Sequence, residues 1–376
     1  MKVLAIGTYP LGVIYGGVPT YTYMYAKYLS KNSDIKLNVI TFGDEDRELK
    51  KENLTIHVIN KKLFPLNVPF AIWRILKITK KIKPDIINII GTHFPNPTLA
   101  LLLKINYRVV LTVIATISLE KRFYEIKSKY YGTSLFQIFN LARLEKLAVS
   151  KVDNVIVETP NVKRLLSRWT NANIYVIPDG VEFEEIQEIN PTKEKVDILF
   201  VGRLVKVKGI DVLIKAISIV KKYNDDINLH ILGYGPREDS IKDLTKKLNL
   251  EKNVKLLGFL SEKEKFKYFK GSKIVAIPSR WENSPITLYE AMASGKAVVA
   301  SNVSGIPDVL INGKTGYLFE TENAEDLADK ILILLKDSKL QKTMGESARK
   351  KAREYDWGKI IQKTVDTYKA IINGKK

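Results

Sequence analysis

Short apolar runs rich in Val and Ile alternate with longer amphipathic stretches along most of this 376-residue chain. A strand in a parallel sheet is covered on both faces and so reads as a continuous apolar run, while the crossover between two such strands takes the length of a helix. The pattern therefore predicts α/β architecture. In the first half, strands are expected at residues 3–7, 36–42, 55–59, 85–90, 109–114, 154–158 and 174–177. In the second half they are expected at 197–202, 228–233, 253–257, 273–278, 297–301 and 316–319. At about 150 residues per domain the length accommodates two domains, each with its own doubly wound parallel sheet.

The seam is placed within PDGVEFEEIQEINPTKEKVD, residues 178–197, where a Pro-Asp-Gly turn gives way to a polar, acidic stretch. The expected organisation is an N-terminal Rossmann-like domain over 1–181, a linker over 182–194, and a C-terminal Rossmann-like domain over 195–356. A last helix over 357–376 would cross back to the first domain. Ligands of open α/β sheets bind beyond the carboxyl ends of the strands, so two such sheets facing each other would enclose a cleft.

Composition narrows the chemistry. The chain has no cysteine, which excludes disulfides, thiolate metal sites and a Cys nucleophile, and its three histidines, His57, His93 and His230, are scattered. No metal and no bound cofactor are expected. No apolar run reaches the about 18 residues of a bilayer span, and MKVLAIGTYPLG enters a strand directly, so a cytoplasmic protein is expected. The formal charge of +20 calls for an anionic partner. Residues 50–151 hold 18 Lys and Arg against 5 Asp and Glu, concentrating the excess in one region. Much of the remaining charge fits a general Lys-rich bias of the thermophile kind.

The most specific stretch is PSRWENSPITLYEAMASGKAVVAS, residues 278–301. A strand ends at Pro278, Ser284 and Pro285 fit an N-cap and first helical position, and Gly295 stops the helix. Glu282 then lies in the loop and Glu290 in the second turn, their carboxylates roughly 8–12 Å apart, too far to share a proton. Between them the amides of Ile286, Thr287 and their neighbours, at the positive end of the helix dipole, suit a diphosphate. Each carboxylate would accept hydrogen bonds from hydroxyls, one on a ribose and one on a sugar. Taken by itself, the spacing favours an ordinary loop charge and helix-face charge, since two Glu eight positions apart are common.

In VGRLVKVKGIDVLIKA, residues 201–216, a strand delivers Gly202 and Arg203 to its carboxyl end, followed by Lys206, Lys208 and Gly209 before a helix. Arg203 and Lys208 can address one anion, one as a fork and the other as a point charge. GxxxxGK[ST] occurs nowhere, which argues against a P-loop ATPase or kinase. In GTYPLGVIYGGVPTYTYMYAKYLS, residues 7–30, Gly16 and Gly17 precede a helix, where bare backbone can approach a phosphate or sugar. This is not GxGxxG, and no acidic residue follows about 20 positions on, which weakens a nicotinamide reading. GYGPR (233–237) and GFL (258–260) each close a strand with glycine.

In order and spacing these four stretches resemble the retaining glycosyltransferases of family 4, which have two Rossmann domains facing across a cleft (GT-B). The resemblance runs the length of the chain and is densest over 198–319. It implies that Arg203 and Lys208 hold the diphosphate of a nucleotide-sugar donor, that Glu290 holds the ribose, and that Glu282 holds the donor sugar's hydroxyls. It further implies that Ser284, Ile286 and Thr287 line the donor, that Phe259 lies near the base, and that Gly16 and Gly17 close over the diphosphate. The implied reaction is metal-independent hexosyl transfer from a UDP- or GDP-sugar to a glycan or lipid-linked acceptor, with the N-terminal domain on the acceptor side. One departure stands out: family members carry a Thr-x-His shortly after the fifth strand, whereas this chain reads LTVIATIS with Ile114 at that place. His93, in GTHFPNP, matches a second family position and offers a partial substitute.

For the acceptor, the basic segment 50–151 includes KKIK (80–83) and SLEKRFYEIKSKYYG (118–132), whose interleaved cations and aromatics suit an anionic membrane surface as well as an ordinary solvated face. Two other classes compete: a nucleic-acid-binding protein using the same basic surface, which lacks a recognised motif, and a nucleotide-sugar epimerase of GT-B architecture, which lacks the expected histidines and carboxylates.

Overall fold

In a computed structural model of the chain, residues 1–7, 17–60, 68–92, 95–114 and 135–374 are described, with the backbone alone for 135–141. The described residues divide into two compact units. One holds those up to Asp179 together with those from Trp357 onward, and the other holds Gly180–Asp356.

The first unit is built on β1 (Lys2–Gly7), β2 (Lys36–Gly43), β3 (Arg47–Lys51), β4 (Leu54–Asn60), β5 (Ile86–Ile90), β6 (Val109–Val113), β7 (Asn154–Val157) and β8 (Asn173–Val176). They lie in the order β3-β4-β2-β1-β5-β6-β7-β8. Central β1 pairs in parallel on both sides, Val3 with Leu37 and with Ile86. Its Val3 and Ala5 enter one core layer and its Leu4 and Ile6 the other, so both faces are covered and the run has no polar alternate. β3, with the sequence RELKK, was not expected as a strand. It is exposed throughout and pairs antiparallel with β4, an edge whose charges discourage further strand addition.

The last helix, Trp357–Ile372, belongs to this unit. Its Ile360, Val365 and Tyr368 join the core layer of Val3 and Ala5. The hydroxyls of Tyr25 and Tyr368 meet at 2.9 Å, and the Trp357 ring stands edge-on to Tyr21 at 5.8 Å.

The second unit is built on β9 (Val196–Val201), β10 (Leu229–Leu232), β11 (Val254–Gly258), β12 (Ser272–Ile277), β13 (Ala297–Ser301) and β14 (Gly316–Phe319). Their order is β11-β10-β9-β12-β13-β14 and every pairing is parallel. Ile198 and Phe200 of β9 face one layer, Val196 and Leu199 the other. Within 182–194, the stretch expected as a linker, a short helix Phe183–Gln187 buries Phe183 and Ile186 in this unit's core. Apolar side chains three positions apart, on one face of the turn, anchor a segment whose overall polarity reads as linker.

The order of strands reverses between β9 and β12: β10 and β11 lie on one side, β13 and β14 on the other. At such a switch point the loops leaving neighbouring strands diverge and leave a crevice. Both loops singled out by sequence, after β9 and after β12, therefore emerge side by side.

Candidate functional site

The loop after β9 runs through Gly202 and Arg203 into a single 3-10 turn, Lys206–Lys208, and then into the helix Ile210–Val220. Gly209 joins turn to helix at φ +66°, and a Cβ there would lie 1.9 Å from the carbonyl oxygen of Pro278. Only glycine admits both that conformation and that approach, so the two loops touch backbone to backbone. Gly233, after β10, meets Gly202 in the same way: its Cβ would lie 1.9 Å from the Gly202 carbonyl oxygen. Leu204 N–H donates to the Tyr234 carbonyl at 2.9 Å, which fixes the start of the loop.

Across this contact the Lys208 ammonium pairs with Glu282 Oε1, both side chains being largely buried. Ser279 Oγ donates to the same carboxylate oxygen at 2.9 Å. Ser279 is held in turn by Ser301 Oγ, which donates to its carbonyl, and Gly305 N–H donates to the Glu282 carbonyl at 3.2 Å. The residues that family resemblance assigns to diphosphate and sugar are thus in direct contact. Arg203 is exposed, and among the described residues its side chain makes no ion pair.

Arg280, in the same motif, was not singled out by sequence, and the structure gives it the densest set of partners here. Its guanidinium, 7% exposed, donates to Asp211 Oδ1 at 2.8 Å and Oδ2 at 2.7 Å, to Glu322 Oε1 at 2.7 Å and to the Lys206 carbonyl at 2.6 Å. Its backbone N–H donates to the Val207 carbonyl at 2.8 Å. Burial opposes ionisation of Asp211, but the hydrogen bonds and charge of Arg280 outweigh it and hold that carboxyl below its ordinary pKa. Arg280 therefore ties the Lys206–Lys208 turn to the loop that carries Glu282. Arg in a loop is common, and its partner lies 69 positions away, so local sequence carried no signal of the clamp.

The helix after β12 begins one residue later than sequence predicted. It spans Ile286–Ala293, and Pro285 is its N-cap with extended backbone, ψ 112°. Ser284 does not cap it: its hydroxyl meets that of Tyr289 at 2.9 Å. A proline whose ψ is extended cannot occupy the first helical turn, and this shifts the hydroxyl away from the amides. Pro285 makes no side-chain cap bond, and among the described residues no side chain accepts from the amides of Ile286 and Thr287 in the first turn. Gly295, at φ +71°, follows the helix and ends it.

Glu290 lies in the second turn and is buried. Lys265, from the helix Glu262–Gly271, donates to Glu290 Oε1 at 2.7 Å and to Glu262 Oε2 at 2.7 Å. Burial raises the Glu290 pKa against the opposing pull of Lys265. Burial likewise opposes the charge of Lys265, and its two carboxylates outweigh it and keep the ammonium protonated. Phe259, just past β11, is 61% exposed, with the Tyr234 ring edge-on at 6.2 Å. Gly17 opens the helix Gly17–Leu29 with open space where a Cβ would stand. Ile114, one residue beyond β6, is buried in the first unit's core. Gly16, His93 and the segment 118–132 lie outside the described residues. Among the described residues no group of three His, Asp or Glu side chains is placed to hold a metal ion, and no helix is long and apolar enough to cross a membrane.

Two family models match the chain in tandem, Glycosyltransferase Family 4 over residues 15–185 and Glycosyl transferases group 1 over 181–351. An uncharacterized glycosyltransferase of Methanocaldococcus jannaschii is 28% identical over 362 residues, 95% of each chain. Among solved structures, sucrose-phosphate synthase from Thermosynechococcus elongatus superposes with a TM-score of 0.84 at 18% identity over the whole of both chains. Anabaena HepE in complex with UDP-glucose superposes with a TM-score of 0.77 at 18% identity, over 98% of this chain and 100% of the other. These likenesses favour neither a nucleic-acid-binding protein nor an epimerase. With both halves matched in register with the two Rossmann-like sheets, the chain belongs to the family 4 glycosyltransferases, enzymes of the GT-B fold.

Proposed function

We propose that this enzyme moves a hexose-type sugar from a UDP- or GDP-sugar to a glycan or lipid-linked acceptor, with retention of configuration and without a bound metal. The observation that carries the reading is the Lys208 to Glu282 contact at the strand-switch point, beside a helix whose first amides have no capping side chain. On this reading Lys208, the Ile286 and Thr287 amides and the exposed Arg203 hold the diphosphate, and the Glu282 carboxylate beside Lys208 takes sugar hydroxyls.

In the proposed reaction the acceptor hydroxyl attacks the anomeric carbon on the face from which the diphosphate departs. The bond from that carbon to the phosphate oxygen breaks, its electron pair stays on the diphosphate, and the acceptor's proton passes to a diphosphate oxygen. Lys208, Arg203 and the Ile286 and Thr287 amides stabilise the charge that develops there. Glu282 orients the sugar, Glu290 accepts from the ribose, and Phe259 offers an apolar surface to the base. Gly16, Gly17 and His93 are assigned to the donor on the resemblance alone. The UDP-glucose in the complex of Anabaena HepE, a protein of the same fold, supports a uridine donor.

The test is transfer measured with a panel of UDP-, GDP- and ADP-sugars chosen by thermal shift. Arg203→Ala is expected to lower turnover by about 10²-fold or more with unchanged melting, and Lys208→Ala to lower it as far with a fall in melting as well, because Glu282 loses its ammonium partner; both are assayed well below the melting range. A near-normal rate in either variant sinks the assignment.

A further inference from the structure

We infer that the outer face of the helix Val68–Ile82 docks on a bilayer surface carrying anionic lipid. Its inner face, Ala71 and Ile75 with Thr79, packs on the first unit's sheet. Its outer face leaves Phe70 46% and Trp73 52% exposed, with Leu76 beside them, where solvent-facing positions of a soluble helix are ordinarily polar. The two rings stack at 5.5 Å. Of the chain's four tryptophans, all within the described residues, Trp73 alone is exposed.

The charge on this helix is of one sign. Arg74, Lys77, Lys80 and Lys81 are its only charged residues, and no carboxylate occurs between positions 68 and 82; Arg74 is paired with Asp46, so the face's basic charge is that of the three lysines. The cations lie against the aromatics: Lys77 Nζ is 5.2 Å from the Trp73 ring centre and the Arg74 guanidinium 6.0 Å from that of Phe70. Phe70 and Trp73 occupy the N-terminal half of the exposed face and Lys77, Lys80 and Lys81 the C-terminal half.

Aromatic rings at headgroup depth, flanked by lysines that reach anionic phosphates, are the chemistry by which a helix lies on a membrane. A nucleic-acid surface would be served by the lysines, but stacking on bases would call for rings spaced along a groove and not for an aliphatic Leu76 continuous with them. This differs from the sequence expectation, which put the aromatic and basic interleaving at 118–132 and noted only the charges of 80–83. It deepens the reading of a lipid-linked acceptor and rests on it only there, because vesicle binding is measured without donor or acceptor.

The experiment is co-sedimentation of the full chain with vesicles of phosphatidylcholine alone or with added phosphatidylglycerol, at low and high salt, alongside Trp fluorescence. Expected are binding to the anionic vesicles alone, loss at high salt, and a blue shift of emission that Trp73→Phe removes. Phe70→Ala with Trp73→Ala should abolish binding, and Lys77→Gln with Lys80→Gln should weaken it about fivefold for each lysine. All these positions are exposed, so melting should be unchanged; brominated lipid quenching of the unmodified protein gives a second readout free of any variant. No binding, binding unaffected by these variants, equal binding to neutral vesicles, or a Trp73 shift that follows oligomerisation or added RNA in place of vesicles would overturn the inference. Donor binding measured by thermal shift reports on the transferase reading separately.

Discussion

Replacing Arg280 by Met removes a guanidinium that is 7% exposed and leaves Asp211 and Glu322 without their shared cation. Breaking a fully buried pair from one side costs about 3–5 kcal/mol, because the remaining charge keeps its desolvation penalty. Here Asp211 is 25% and Glu322 52% exposed, so water recovers part of that penalty, and about 2–3 kcal/mol is expected. For a unit the size of Gly180–Asp356 this corresponds to a fall in Tm of about 4–12 °C. Stability alone would not show a role in catalysis. Arg280 also holds the Lys206 and Val207 carbonyls against the loop of Glu282, and a displacement of about 1 Å in such a constellation costs about 10²-fold in rate. The assay is therefore kcat and donor KM well below the melting range of every variant. Arg280→Met should lower kcat far more than it raises KM. Arg280→Lys, which keeps the charge but not the bidentate fork, should recover most of the stability and only part of kcat. Asp211→Asn should reproduce the kinetic defect. Unchanged melting in Arg280→Met, or normal kcat in the folded protein, would refute the clamp.

Other consequences follow from the same contacts. Gly209→Ala forces a Cβ to within 1.9 Å of the Pro278 carbonyl oxygen at positive φ, and should either abolish folding of the second unit or lower its Tm by about 10 °C or more, read by calorimetry. In a double-mutant cycle, the Glu290→Gln, Lys265→Met double variant should cost less stability than the sum of the two single variants, since Lys265→Met strands the buried Glu290 carboxylate and Glu290→Gln removes that charge; additive costs would refute the pairing. Asp211, whose pKa lies below its ordinary 3.8, stabilises the fold above that pH and loses the contribution as acid titrates it through its folded value. Asp211→Asn should therefore flatten the acid limb of the stability curve. Lys296 is pushed down to about 8 by burial, so at neutral pH its charge costs stability, and the cost fades as pH rises through 8 toward 10.5. Lys296→Met should be more stable relative to the parent at pH 7 than at pH 10; a pH-independent difference would contradict the shift.

The strands were legible because burial on both faces leaves a signature that needs no partner to read: the run of Val3–Ile6 or of Ile198–Phe200 is apolar whichever sheet it joins. β3 was not legible, because RELKK owes its extended form to the ladder with β4 and to nothing within itself. The same distinction separates the parts of the site. Glu282 and Glu290 stood out through local context, a strand before them and a helix between. Ser284 misled because Ser followed by Pro has the chemistry of a cap, whereas the cap geometry depends on ψ at Pro285, which the loop's contacts decide.

What local context could not separate was the two carboxylates' surroundings. Glu282 is bound to a lysine and a serine from loops that end at the crevice, and Lys208 remains 24% exposed, open to exchange its partner for an arriving phosphate. Glu290 is bound to Lys265, 14% exposed and shared with Glu262, from the helix Glu262–Gly271, which packs in the same core layer. On the proposed donor reading the first pair opens, since a doubly charged diphosphate competes for the ammonium with more charge than one carboxylate and the donor sugar brings hydroxyls for Glu282 in return. The second pair has two carboxylates for one cation, so Glu290 can turn one oxygen to a ligand while Glu262 keeps Lys265 neutralised. On the proposed donor assignment, the site supplies a replaceable counter-ion beside the diphosphate and a retained one beside the ribose, a division that follows from the partners each loop and helix brings and not from the eight-residue spacing itself.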